Sequence, residues 1–287
     1  MRKPVVAGQF YNAEKDGLLK EIEECFLSDF GVGKLPGKSR GKKKILGAIV
    51  PHAGYVFSGP CASHAYYEIS KVGRVDLFLI LGTNHHGMGK RVATSAIDWE
   101  TPLGVCKIDK EFVRKIVEKG IAEVDEVAHA YEHSIEVQLP FIQFIQPDFK
   151  FCPVIFRDLN LDECIETAEN FWEVLKDLRS FVVLASSDFT HYGPMYGYLP
   201  FLSEVKENLY KLDREMIDLI LNLEFEEFFK KVYGEGRTIC GWLPITVLLI
   251  LMKKFGAKGK LLKYYTSGDV VKDYSNAVGY ASIVFER

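Results

Sequence analysis

Two short segments, DLFLIL at 76–81 and FVVLAS at 181–186, carry apolar side chains without the alternation of a half-wet strand. Strands of that kind must be covered on both faces, which commits the chain to a sheet held between helices. A third, KILGAIV at 44–50, stops at Pro51. Helical periodicity is read over 61–70, 110–119, 134–145, 162–178, 202–223, 225–233 and 245–255. Pro140 is expected to kink or break the third of these. Short antiparallel strands are expected at 92–96 and 103–108, and further strands at 149–156, 261–266 and 277–285. Pro153 would place its strand at an edge or a bulge. No internal repeat is visible, and the one linker-like stretch, GVGKLPGKSRGKKK at 31–44, comes too early to divide domains. The expected fold is a single α/β domain over 1–287, with a central mixed β-sheet flanked by helices.

Several function classes are excluded at this level. The net charge of -3 offers no basic surface for nucleic acid. The longest apolar stretch, 242–252, is closed by Lys253 and Lys254 and is too short for a bilayer, which needs roughly 20 residues. The opening MRKPVVAGQFYNAEKDG has no apolar core or small-residue cleavage site, so it reads as part of the fold, and a cytoplasmic location is the default. The GKS at 37–39 lacks the glycine five residues earlier and the preceding strand of a phosphate loop, and reads as a solvated basic loop. The six cysteines include no CxxC pair, as expected for reduced, buried thiols.

The chemistry lies at the strand ends. In α/β sheets ligands gather beyond the carboxyl ends of strands. VPHAGYVFSG puts His52 after the first strand, LGTNHHG puts Asn84, His85 and His86 after the second, and SSDFTHYG puts Asp188 and His191 after the third. Strands lie about 5 Å apart, so three such ends can share a pocket. Side chains one apart on an extended segment point opposite ways, so only one of His85 and His86 is expected to be a ligand, the other touching substrate. His64 and His129 have no such position and are read as ordinary hydrogen-bonded residues. EHSIEVQLPF adds Glu132, His133 and Glu136; His133 and Glu136 stand one helical turn apart, as a half-exposed ion pair or as part of the site, with Ser134 able to cap the helix. Cys240 precedes an apolar helix, where thiolate is favoured; it reads equally as a ligand or as a small buried hydrophobe. Two histidines with an anionic ligand would suit iron, copper or zinc. Asp188 with His191 would act as an acid/base pair, Asp188 fixing the tautomer of His191 or itself ligating.

These blocks, with RKPVVAGQFY, TPLGVCKID, ICGWLP, YTSGDV and VGYASIVF, resemble in order those of the Memo family (mediator of cell motility), also called AmmeMemoRadiSam system protein B in microbes. The resemblance runs from Arg2 to Phe285. It implies a fold similar to the class III extradiol dioxygenases, with His52, His85 and Cys240 as metal ligands and His191 as general base with Asp188 beside it; Asn84, His86 and His133 are the candidates to line the pocket. The departure is the thiolate: oxygen-activating iron enzymes use two histidines and a carboxylate, so a cysteine puts ring cleavage in doubt and makes copper a serious candidate beside iron. Phe57 stands where some relatives carry tyrosine. The implied function is a non-haem iron- or copper-dependent redox enzyme on a small substrate, with a zinc-dependent hydrolase as its variant. The alternative is a non-enzymatic protein that captures a peptide or a phosphate- or phenol-bearing ligand in the same pocket. The microbial name implies partnership with a radical-SAM enzyme and an AMMECR-type protein; the chain has no iron–sulfur motif of its own.

Overall fold

The computed structural model describes residues 1–37 and 44–287, so residues 38–43 of the basic loop expected at 31–44 lie outside the described residues. The first half runs α1 (Lys15–Leu27), β1 (Ile45–Val50), α2 (Tyr55–Ser70), β2 (Leu77–Thr83), β3 (Val92–Thr94), β4 (Trp99–Thr101), β5 (Gly104–Ile108) and α3 (Lys110–Glu118). There follow β6 (Glu123–Val124), α4 (Glu126–His129), α5 (Leu139–Ile145), β7 (Lys150–Phe156), α6 (Leu161–Leu175), β8 (Phe181–Ser186) and β9 (His191–Tyr192). The chain closes with α7 (Val205–Leu221), α8 (Phe225–Glu235), α9 (Trp242–Lys254), β10 (Lys258–Thr266), α10 (Ser267–Val271) and β11 (Ala277–Glu286).

Among the described residues the strands form one eleven-stranded sheet with the main order β10-β11-β1-β8-β2-β7-β3-β6. The centre, β1-β8-β2-β7, is parallel. β11 joins β1, β10 joins β11, and β3 joins β7, all antiparallel, so the sheet is mixed as expected. β1 and β8 are buried along their whole length and β2 at every residue but Thr83. The helices that cover them fall into two groups, α1, α2 and α5 in one and α6, α8 and α9 in the other. α9 is buried from Leu243 to Met252, which explains why it is apolar all round; Lys253 and Lys254 sit where the helix dipole favours cations. No helix among the described residues is long and apolar enough to cross a membrane.

Proline explains most departures from the sequence reading. β7 is an interior strand despite Pro153. The carbonyl of Phe151 accepts from Asp109 N and that of Phe156 from Asn84 N, so odd residues face away from β2. The missing N–H of Pro153 therefore faces the outer side, where β5 pairs at 150–151 and β3 only from 154 onward. The proline occupies the gap between two partners, where no donor is needed. Pro140 begins a helix and does not break one: residues 136–138 form a 3-10 turn and α5 starts at Leu139, with the proline in its first turn. α2 starts at Tyr55, ahead of Pro60, and not at 61. β3 and β5 are short as expected, each antiparallel to another strand, β7 and β4, rather than to each other. α1 lies outside the expected helices: Glu14 gives it no side-chain cap, and it is held by burying Leu18, Ile22, Cys25 and Phe26.

His129, expected to be hydrogen-bonded, is fully buried with its ring edge to Trp99, and its ring nitrogens meet no well-formed partner. Burial first, and the Arg2 charge second, push its pKa down to about 3. The unfolded chain, near the ordinary 6.5, then takes up a proton that the native state refuses, so stability is lost as pH falls from 6.5 toward 3. The slope is at most about 1.4 kcal/mol per pH unit. His129→Phe is expected to flatten the pH dependence of urea unfolding between pH 7.5 and 5; an unchanged slope would refute this.

Candidate metal centre

β8 lies between β1 and β2, so the loops leaving these three parallel strands are neighbours. They carry His52, then Asn84 and His85, then Asp188 and His191. His52, His85 and His133 come together with one ligand atom each, all within 4.8 Å of one another. The His52 ring stands edge-on to both others, at centroid distances of 5.2 and 5.3 Å, and His85 and His133 stack at 4.8 Å. Cys240, just before α9, places Sγ 3.1 Å from His52 Nε2 and accepts a hydrogen bond from Asp188 N. It is the one cysteine of the six that is not fully buried.

Hydrogen-bond bookkeeping fixes the tautomers. Ser186 Oγ has one proton, which it donates to the carbonyl of Ser134. It must then accept from Gln138 Nε2 and from His52 Nδ1. His52 is therefore protonated on Nδ1 and turns a bare Nε2 toward Cys240 and the other rings. Burial, with the neighbouring histidines, holds its pKa well below the ordinary range, so the ring is neutral. His85 donates Nδ1–H to Glu132 Oε1 at 2.9 Å, and the Cys240 sulfur is the ring's second hydrogen-bond partner. The same carboxylate takes the backbone N–H groups of His85, His133 and Ser134. A carboxylate behind a ligating imidazole orients the ring and raises its basicity.

The electrostatics follow. Burial alone would raise the Glu132 carboxyl, but the His85 hydrogen bond and the charges of His85 and His133 overcome it and hold the group below the usual carboxylate range. Burial lowers His85, yet the Cys240 sulfur and Glu132 push it up to about 10. His133 lacks that balance: burial dominates the pull of Glu132 and leaves it at about 4. Asp188 is raised, chiefly by burial.

The other expected residues divide. His191 donates Nδ1–H to the carbonyl of Thr238 at 2.9 Å, so the tautomer-fixing role expected of Asp188 belongs to Thr238. Asp188 Oδ1 instead accepts from His52 N. His86 is exposed, with its ring 6.4 Å from that of Tyr131, and Asn84 braces its own loop through Met88 O. His85 and His86 lie in a turn beyond β2 and not on the extended segment that the expected alternation assumes. Glu136 pairs with Arg2 and not with His133, and Ser134 Oγ bridges to Thr83 rather than capping a helix.

The chain resembles known proteins along its whole length. A family model described as Memo-like protein matches residues 2–284. The chain belongs to the Memo-like family. It is 43% identical to a MEMO1 family protein of Methanopyrus kandleri over 291 residues, covering 100% of this chain and 99% of that one. It is also 43% identical to one from Methanococcus vannielii, with both chains covered completely, and 41% identical to one from Saccharolobus islandicus, with 99% of each covered.

In this Memo-like chain several supporting residues escaped the sequence reading. Gln138 lies within EHSIEVQLPF without being singled out, Thr238 and Tyr196 fall just outside the quoted blocks, and Tyr196, whose ring lies 5.1 Å from His191, follows on a short turn after the histidine. Gly82 is needed for a close approach: a Cβ there would stand 2.6 Å from Ser134 Oγ and 2.7 Å from Ile135 Cγ1. Gly82→Ala is expected to push the Glu132–Ile135 segment outward at a cost of about 1–3 kcal/mol and to weaken metal binding with it. Thermal melts and metal titration check this; a variant with native affinity would show that the segment is not pinned there.

Proposed function

We propose that this protein is a metal-dependent redox enzyme whose ion is held by His52, His85 and Cys240, with His191 as its proton-transfer group. The observation that carries the reading is the meeting of a bare His52 Nε2 with Cys240 Sγ at 3.1 Å, beside the Glu132-braced His85. Ligand atoms about 2.0–2.3 Å from a tetrahedral ion stand roughly 3.3–3.6 Å apart, so the N···S pair needs only a small adjustment. Two imidazoles and a thiolate suit iron or copper, with zinc as the third candidate. An ion so held, with positions left open, would supply Lewis acidity and, for iron or copper, electrons. His133 adds a neutral imidazole against His85, as a further ligand or as a second proton carrier. His191, with Nδ1–H fixed on Thr238, would present Nε2 as the base.

The ligand-capturing alternative has one observation in its favour. The loop that follows His191 exposes Met195, Tyr196, Leu199 and Leu202, an apolar rim of the kind a peptide could use. The radical-SAM and AMMECR-type partners belong to this proposal as candidate sources of substrate or electrons.

The test is elemental analysis of protein purified without oxygen or chelator, beside Cys240→Ala. Near-stoichiometric iron or copper in the native protein, lost in the variant, is the expected result. No metal in either protein after addition of Fe(II), Cu(I) and Zn(II) would overturn the reading and favour ligand capture. His191→Ala is expected to keep the ion while abolishing turnover; loss of the ion would make His191 a ligand.

A further inference from the structure

We infer that Asp213, on α7 and outside the cluster of ligands, is a positioning residue for His191. The carboxylate is fully buried. Its Oδ1 accepts from both Thr190 Oγ1, at 2.6 Å, and Thr190 N, at 3.2 Å, and its Oδ2 accepts from Tyr264 OH at 2.6 Å. Burial, the largest influence, pushes its pKa up to about 6, so the ionised form is held there at a cost that three donors only partly offset. The fold makes room for it: a Cβ on Gly279 would collide with Oδ2.

The role follows from what Thr190 leads into. Gly279 N donates to the Thr190 carbonyl, while Phe189 N donates to the carbonyl of Gly279, so β11 grips the loop from one side. Asp213 grips the same residue from α7. The next residue is His191, whose N–H donates to Thr238 Oγ1 and whose Nδ1–H donates to Thr238 O. The peptide between 190 and 191 is thus held by Gly279 N at its carbonyl and by Thr238 Oγ1 at its N–H, while Asp213 fixes the N–H and hydroxyl of Thr190 immediately before it. Without Asp213, Thr190 loses its tie to α7, the loop carrying the ring can shift against Thr238, and both tautomers become accessible.

This rests on the reading of His191 as the proton-transfer group, but its test uses metal-free protein, so failure to bind metal and failure of the anchor are separate results. The measurement is long-range 1H–15N correlation on histidine-labelled protein at pH 7.5. The native His191 is expected to show one tautomer, with the proton on Nδ1. In Asp213→Ala and in Thr190→Val its two nitrogen shifts are expected to move toward the average of both tautomers, while His52 keeps its pattern. Asp213→Asn, which preserves an acceptor for Thr190, is expected to restore the native signature. A His191 that stays locked in both Asp213→Ala and Thr190→Val, even with a lowered Tm, would overturn the inference. So would a native His191 protonated on Nε2. If Asp213→Ala does not fold, Thr190→Val decides.

Discussion

Glu132→Ala is expected to weaken binding of Zn(II) or Cu(II) by about 10- to 100-fold, the usual effect of removing the partner behind a ligating histidine. The carboxylate is 1% exposed and accepts from four donors, His85 Nδ1 and the N–H groups of His85, His133 and Ser134. Truncation therefore does more than loosen one ring. It leaves three backbone N–H groups without their acceptor, at about 1–3 kcal/mol for each that stays buried. It also frees His85 to carry its proton on Nε2, the atom needed for a metal. Glu132→Gln is not a benign control, because its NH2 must face one of these donors. The pH dependence has a definite sign. A carboxyl held below its ordinary value stabilises the fold at pH above that ordinary value, about 4.3, and loses the contribution as pH falls through the depressed one. Native protein and variant should therefore converge in stability in strong acid. Competition with a chelating dye at pH 7 reads the affinity. Equal affinity in native protein and Glu132→Ala, while Cys240→Ala fails to bind, would sink the carboxylate–histidine pairing.

What the sequence disclosed of this site was topological. Unbroken apolar strands can only be interior, and the residues just beyond them can only be at the sheet's carboxyl edge; that much places His52, His85, Asp188 and His191. Their adjacency needed the strand order, since β8 inserts between β1 and β2 from more than a hundred residues away in the chain. Periodicity could not rank Glu132 above Glu136: both are acidic residues of one short segment, and only the packed structure sends one to His85 and the other to Arg2. Prolines misled for a physical reason. Pro153 argues against an interior strand only if its neighbours on both sides require its N–H, and here one side changes partner at that residue. Thr238 and Asp213 hold the His191 loop from segments 47 and 23 residues away from the residues they bond, and no local pattern announces such partners.

Arg2→Ala is expected to cost about 3–5 kcal/mol, the range for removing one member of a buried ion pair. The Arg2 and Glu136 side chains are 6% and 0% exposed, and pair at 2.8 Å. The guanidinium also donates to the carbonyls of His129 and Glu132 and lies 4.1 Å from the Trp99 ring centroid. Glu136 keeps Val5 N, Val6 N and Tyr11 OH, so truncation leaves a carboxylate that is hydrogen-bonded but without its countercharge. The penalty thus belongs to the orphaned charge more than to the lost contact, and a second change should remove part of it. Arg2→Met with Glu136→Gln, which keeps volume and removes both charges, is expected to be more stable than Arg2→Ala alone. Because Arg2 holds the carbonyl of Glu132, the single variant should also blur the His85 site, whereas His191, anchored from α7 and Thr238, should be unaffected. Urea unfolding of both variants, with the histidine NMR pattern as a second readout, separates these effects. A single variant within about 1 kcal/mol of native would be too small a loss for a buried pair, and would mean that the N-terminal segment is held by its apolar contacts alone.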